Sequence, residues 1–230
     1  MSISLVIPCR NESGHIAKII RTIPDAIEQI VLVNNNSTDE TLSALSNIAK
    51  TDKRVLVIDE PREQGGIGYG YAHMAGLKAA FGDYIVCLDG DGSYPIESIA
   101  GALDKARLSK SDVLSCSRYP IKKGSSFNIV AMMGAYLFSL VIVVLFNRWI
   151  NDSLSGMWVI KRSSLERLNL TSGDWNFSLE IKLKAILDSD LKFEEYPLMQ
   201  QRRYGKSKQD YIKTGFNHLA WLVRYHLKVK

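Results

Sequence analysis

Tyr84-Ile85-Val86-Cys87-Leu88-Asp89-Gly90-Asp91-Gly92 sets five apolar or aromatic residues in a row ahead of two acids, each followed by glycine. A run this short, rich in β-formers and stopped by turn residues, reads as a strand buried on both faces, with carboxylates at its C-terminal end. The pattern recurs outward in both directions. Ile3–Ile7, Ile30–Val33, Val55–Ile58 and Val113–Ser117 are further apolar runs of four or five residues. Between the runs, Ile16–Ile23, Thr38–Ala49, Tyr71–Phe81 and Glu97–Leu108 place apolar residues at three- and four-residue intervals, the spacing of helices with one buried face. Ser37 and Glu40 form a capping-box pattern before the second helix. Such alternation predicts right-handed crossovers and an α/β domain with a mostly parallel central sheet and helices on both faces. Polar clusters follow the strands at Pro8–Glu12, Asn34–Asp39, the glycine-rich loop and Asp89–Ser93. Ligands in open α/β sheets bind beyond the carboxyl ends of the strands, so the four clusters describe one site.

Composition limits what that site serves. The chain has 230 residues, 46% hydrophobic and 23% charged, which suits one large α/β domain and excludes a disordered or fibrous chain. A net charge of +5 is too mild to imply nucleic acid. The excess is local: eight Lys or Arg and one acid, Asp210, fall between Arg202 and Lys230. That basic end suits phosphates or an anionic membrane surface, or is simply a solvated helical end. Cys9, Cys87 and Cys116 fit no metal-ligand spacing and read as reduced, buried thiols of a cytosolic protein. Met1-Ser2-Ile3-Ser4 lacks the basic and apolar regions of a signal peptide, so secretion is not expected.

Asp89 and Asp91, one residue apart on a glycine turn, can share a hard divalent cation, Mg²⁺ or Mn²⁺, completed by water and phosphate. Such a cation neutralises charge on a departing diphosphate. An Asp-Gly-Asp-Gly string is also a common plain turn. Gly65-Gly66-Ile67-Gly68-Tyr69-Gly70 invites a dinucleotide-fold reading, but Tyr71 stands where the third glycine belongs and no Gly-Lys-Ser/Thr follows. It is a flexible glycine loop entering a helix.

Taken in order, Val6-Ile7-Pro8-Cys9-Arg10-Asn11-Glu12, Val33-Asn34-Asn35-Asn36-Ser37-Thr38-Asp39, Gly82-Asp83-Tyr84 and Asp89-Gly90-Asp91 resemble the family 2 glycosyltransferases. More narrowly, Ser117-Arg118-Tyr119, Asp152-Ser153-Leu154-Ser155-Gly156-Met157 and Arg203-Tyr204-Gly205-Lys206-Ser207-Lys208 are similar to the polyprenyl-phosphate sugar transferases of the dolichyl-phosphate mannosyltransferase type. The resemblance implies a GT-A fold, a nucleotide-diphosphate sugar donor (UDP- or GDP-linked), inverting transfer and a Mg²⁺ or Mn²⁺ requirement. By position it implies that Pro8, Arg10, Glu12, Asn34 and Asn35 line the nucleotide pocket. Asp89 would face the nucleotide and share the metal with Asp91. Arg118, Arg203, Ser207 and Lys208 would meet phosphates, and Asp152 would sit near the transferred sugar or acceptor. Arg and Lys suit diphosphate and phosphomonoester oxygens, so chemistry and position agree. An ionised lipid phosphate needs no general base; for a hydroxyl acceptor, Asp152 is the candidate base, or else a cap or turn residue.

Four positions depart from the family. Asn34 and Asn35 replace a usual pair of Asp, which changes the hydrogen-bonding edge offered to the base. Arg10 stands for Tyr, Ser93 for a metal-assisting Gln, and Asn128 for an Arg that grips the acceptor phosphate, with Lys122 or Lys123 as substitutes.

From Ser125 to Asn147 there is no charge, and Ile129–Phe146 as a helix would run about 27 Å. A single crossing would separate Arg118 from Asp152, which the resemblance places together. Membrane-interface helices therefore fit better, with a core helix or a homo-oligomer interface as alternatives. The aromatic, basic segment 209–230 reads as an interfacial helix following a transferase domain 1–208. His15, His73, His218 and His226 share no metal spacing and read as structural or surface residues. The expected protein is a metal-dependent inverting glycosyltransferase at the cytoplasmic membrane face, peripherally bound, with polyprenyl phosphate as leading acceptor. A hydroxyl acceptor, or a non-catalytic nucleotide-sugar-binding scaffold, stands as the alternative.

Overall fold

The structure is a computed structural model and describes residues 1–230 apart from Gly65, Gly66, Phe127, Lys206 and Lys230. The start of the glycine loop and the Lys206 of the basic motif therefore lie outside the described residues. Seven strands form one sheet: β1 (Ile3–Cys9), β2 (Gln29–Asn35), β3 (Val55–Glu60), β4 (Tyr84–Cys87), β5 (Val113–Ser117), β6 (Trp158–Lys161) and β7 (Phe193–Pro197), in the order β3-β2-β1-β4-β6-β5-β7. Among the described residues only β6 is antiparallel to its neighbours. The helices are α1 (Ile16–Ile20), α2 (Thr41–Thr51), α3 (Tyr69–Ala79), α4 (Ser98–Ser109), α5 (Ile129–Phe146), α6 (Leu165–Leu168), α7 (Phe177–Leu187) and α8 (Tyr211–Val229).

Strand residues alternate between two cores, as the period of two requires. Leu5, Ile7, Leu32 and Val86 pack on Ile16, Leu45 and Leu103 of α1, α2 and α4. Val6, Val31, Val33 and Ile85 pack on Ala72, Leu77, Phe177 and Ile181 of α3 and α7. Burial on both faces is why these strands are continuous apolar runs.

The sequence pattern missed β6 and β7. Trp158-Val159-Ile160 is too short to separate from a loop, and it pairs antiparallel because the chain is returning from α5. Phe193-Glu194-Glu195-Tyr196-Pro197 is a half-buried edge strand, so nothing demanded an apolar run. The capping box also fails. The Ser37 hydroxyl instead accepts the Asn11 N–H at 3.1 Å, and Asp39 Oδ1 accepts the Thr41 N–H at 3.0 Å, so the helix begins at Thr41.

α5 starts at Asn128, whose side-chain oxygen accepts the N–H groups of Val130 and Ala131 at 2.9 and 3.2 Å. One face of α5 packs through Phe138 and Ile142 on Leu179 and Leu183 of α7 and Leu222 of α8. The opposite stripe, Ile129, Met133, Leu137, Leu140 and Val144, is exposed, with Val144 at 82%. Ile212, Phe216, Val223 and Leu227 form a similar bare stripe on α8. Among the described residues α5 alone is long and apolar enough to cross a membrane, by length and composition only.

Candidate active site

The carboxyl ends of β1, β2 and β4 converge on a polar cavity. Pro8, Arg10 and Glu12 enter it from the end of β1, Asn35 from β2, and Asp89 and Asp91 from the turn after β4. Arg118 closes one side after β5, while Arg203, Ser207 and Lys208 come from the segment before α8. The structure thus brings together ten of the residues read from the sequence.

Asp89 is held by Tyr69, whose hydroxyl donates to Oδ1 at 3.0 Å. Burial, followed by the charge of Asp91, pushes the Asp89 carboxyl up to about 7. The Asp91 charge adds to the cost of ionising Asp89, and a cation beside Asp89 would offset that cost. Among the described residues no group of three or more His, Cys, Asp or Glu side chains could hold a metal. Asp89 and Asp91 alone offer carboxylates from this turn, so a hard cation there would have to take its other ligands from phosphate and water. Gly156 protects this geometry: a Cβ there would lie 2.6 Å from Asp89 Oδ2 and 2.9 Å from the Tyr69 hydroxyl.

The basic segment lies across the carboxylate turn. Tyr204 N–H donates to Asp91 O at 2.7 Å, Gln201 N–H donates to Ser93 O at 3.0 Å, and an Arg203 guanidinium nitrogen lies 3.5 Å from Asp91 Oδ2. Gly92, with φ of +74°, faces the Tyr204 ring, which would stand 2.7 Å from a Cβ. Glu12 is paired with Lys208 on one oxygen, and His15 Nε2 lies 2.6 Å from the other. Burial nevertheless raises its pKa, with the Lys208 bond opposing. Arg10 is tied to Glu63 at 2.7 Å and to the Asn35 carbonyl at 3.3 Å.

Two residues read as site groups lie behind the cavity. Asn34 donates to Asp59 Oδ1 at 2.7 Å and is absent from the lining. Its side-chain Oδ1, like that of Asn35, has no hydrogen-bond partner among the described residues. Asp152 is fully buried and accepts from Arg118 Nε at 2.6 Å, from the second guanidinium nitrogen at 2.8 Å and from the Arg118 N–H at 3.0 Å. Burial works to raise its pKa, but the Arg118 charge and bonds win and hold it below the usual carboxylate range. A carboxylate so engaged orients Arg118 rather than accepting a proton. Of the residues that depart from the family, Arg10, Asn35 and Ser93 line the cavity and Asn34 and Asn128 do not. Asn128 is a helix cap, and Lys122 is spent on the Pro197 carbonyl at 2.5 Å, so neither reaches the cavity.

Sequence reasoning missed several groups. Tyr94 accepts the Gly156 N–H at 2.5 Å, and Trp175 stacks on Tyr69 at 4.6 Å. Trp175, Ser178 and His218 also line the cavity, and His218, unlike Asn35, lines the neighbouring apolar groove as well. Lys182 is fully buried, its ammonium donating to the carbonyls of Ser153 and Ser155 at 2.9 Å each. Burial lowers its pKa to about 7. The stretch Leu179-Glu180-Ile181-Lys182-Leu183 alternates apolar and charged residues and carried no signal that Lys182 is buried.

Arg118, Arg203, Leu154, Gln209 and His218 also line a second, apolar groove of about 430 Å³ between α5 and α8. Val130, Leu137, Phe138, Phe216 and Leu219 form its walls. The polar cavity therefore opens into an apolar one, with two arginines at the junction.

A mostly parallel sheet covered on both faces, with a carboxylate turn at its centre, is the GT-A architecture of nucleotide-sugar enzymes. The family model for glycosyl transferase family 2 matches residues 4–168, and the chain belongs to that family of glycosyltransferases. The low-salt glycan biosynthesis hexosyltransferase Agl6 of Haloferax volcanii is 28% identical over 96% of this chain, which spans about half of that relative, 53% of its length. The dolichol-phosphate mannosyltransferase of Pyrococcus furiosus is 23% identical over 96% of this chain and 64% of its own. A crystal structure of glucosyl-3-phosphoglycerate synthase from Mycobacterium tuberculosis, in complex with Mn²⁺, UDP and glucosyl-3-phosphoglycerate, superposes with a TM-score of 0.73. It is 18% identical, covering 98% of this chain and 79% of the other, a likeness of fold.

Proposed function

We propose that this glycosyltransferase is an inverting enzyme that moves a hexosyl group from a nucleotide diphosphate to a polyprenyl phosphate at the cytoplasmic face of a membrane. The observation that carries the reading is the junction of the polar cavity with the apolar groove at Arg118 and Arg203. An acceptor with an anionic head and a long apolar tail matches that pairing of surfaces, and guanidinium groups suit phosphate oxygens. The name of the Pyrococcus relative supports a lipid-phosphate acceptor, and the nucleotide in the mycobacterial complex supports a nucleoside diphosphate donor.

Pro8, Arg10 and Asn35 would receive the nucleoside, with Glu12 and Lys208 beside its phosphates. Asp89 and Asp91 would hold Mg²⁺ or Mn²⁺, which when bound neutralises charge on the departing diphosphate. Arg118, braced by Asp152, and Arg203 would aim the acceptor phosphate. Its oxygen attacks the anomeric carbon on the face opposite the bond to the diphosphate, and that bond breaks. The attacking oxygen is already ionised at neutral pH, so alignment and charge stabilisation suffice without a base. Residues 1–208 would carry the transferase, and the bare stripes of α5 and α8 would lie in the bilayer interface. The two chain segments flanking α5 meet in the Arg118–Asp152 pair, which argues against a crossing by α5.

The test is transfer of label from UDP- and GDP-linked hexoses to polyprenyl phosphate in detergent with Mn²⁺. Label in the organic phase is the expected result. Donor binding with label passing only to hydroxyl acceptors would overturn the lipid-phosphate assignment.

A further inference from the structure

His218 lies on the inner face of α8, almost wholly buried, where the polar cavity meets the apolar groove. Its Nδ1 is 2.7 Å from Asn176 Oδ1. The sense of that bond is fixed one step further back. Asp174 Oδ2 accepts from Asn176 Nδ2 at 2.9 Å and from Asn217 Nδ2 at 2.8 Å. A carboxylate offers acceptors, so Asn176 must turn its nitrogen to Asp174 and its oxygen to His218. Nδ1 therefore carries the ring proton. Burial pushes the imidazole pKa down to about 4, so the ring is neutral at physiological pH. Nε2 is left as a bare lone pair. No described residue donates to it, and the Phe138 ring meets the imidazole at right angles with 5.4 Å between centroids.

We propose that His218 reads the transferred sugar, its Nε2 accepting a hydrogen bond from one hydroxyl of the hexosyl group. The inference rests on the cavity being a nucleotide-sugar site. Pro8 and Asn35, assigned to the nucleoside, line the polar cavity but not the groove, whereas His218 lines both. Trp175 stacks on the Tyr69 that holds Asp89, and the next residue, Asn176, holds His218, which sets the imidazole one packing step from the diphosphate carboxylates. A hydroxyl supplies the donor that Nε2 lacks. An ionised phosphate would set acceptor against acceptor, so the same lone pair turns the acceptor head away from this corner toward Arg118 and Arg203. A tautomer fixed by Asn176 and Asp174 gives this selection without any change of charge.

The experiment compares binding of a nucleotide sugar with binding of its bare nucleotide. Calorimetry of the wild-type chain with UDP, GDP and their hexose conjugates, with Mn²⁺, identifies the donor. His218→Phe is then expected to lower affinity for that nucleotide sugar about tenfold, the size of one hydrogen bond. Affinity for the bare nucleotide stays within about twofold. His218→Gln, which restores an oxygen acceptor, recovers part of the loss. Among monodeoxy donors, wild type discriminates against one that His218→Phe does not. Equal losses for sugar and bare nucleotide, or no loss for the sugar, would overturn the inference while leaving the donor site standing. Failure of the folded wild type to bind any of these nucleotides would instead remove the functional reading, and the inference with it.

Discussion

Arg118→Met tests the buried pair on which the site is built, and its outcome does not depend on knowing the substrate. Asp152 is fully buried and takes three bonds from Arg118, two from the guanidinium and one from the backbone. Only the backbone bond and a 3.3 Å contact from the Leu154 N–H survive the substitution. Leaving a buried charge unpaired costs about 3–5 kcal/mol. The Lys182 ammonium also draws Asp152 toward its charged form and loses the opposing Arg118 charge, so the lower end, about 3 kcal/mol, is expected. With a urea dependence of about 2–3 kcal/mol per molar, the midpoint followed by tryptophan fluorescence falls by about 1–1.5 M. Adding Asp152→Asn to Arg118→Met removes the orphaned charge and restores at least half of the loss.

The pH dependence has a definite sign. In the wild type the Asp152 pKa is lowered, so its contribution is complete above the unfolded carboxylate value and is lost as pH falls through the folded one. Without Arg118, burial dominates and the folded pKa rises above the unfolded one. The variant then gains stability relative to wild type as pH falls below about 5. A loss under 1 kcal/mol at neutral pH, or a double variant no better than the single, would refute the reasoning.

Gly156→Ala drives a methyl to 2.6 Å from Asp89 Oδ2 and should cut Mn²⁺-dependent nucleotide affinity at least tenfold while the circular dichroism spectrum is retained; unchanged calorimetric affinity would show that Asp89 is free to move. Lys182 titrates near 7 when folded and about 10.4 when unfolded, so the unfolded chain holds the extra proton between these values. Wild-type stability should therefore rise from pH 7 toward pH 10 relative to Lys182→Met, as urea midpoints across that range will report. Val144→Glu, on the bare face of α5, should weaken sedimentation with anionic vesicles while moving the thermal midpoint by no more than a degree or two; unchanged sedimentation would remove α5 from the proposed membrane face.

The architecture was legible because burial on both faces of a parallel sheet forces continuous apolar runs, and Ile3–Ile7, Ile30–Val33 and Tyr84–Leu88 are such runs. β7 escaped because an edge strand is under no such demand, and Glu194 and Glu195 mark it as polar. The carboxylate turn and the basic segment were visible through the order and spacing of motifs shared with a known family, since a turn of Asp and Gly is by itself a common structural device. Asn128 read as a lost phosphate ligand, and only the start of α5 showed that its amide caps a helix.

The sequence by itself determined the layers, the strand ends that meet at one place and the chemical types gathered there, since these follow from local periodicity and turn residues. Tertiary structure alone decided what each group is free to do. Asp152 is silenced by Arg118 across an intervening helix, Asn34 is claimed by Asp59, and His218 receives its tautomer from Asn176, 42 residues away. Protonation, orientation and the availability of a lone pair are properties of neighbours, and these neighbours are set by packing between segments distant in the chain.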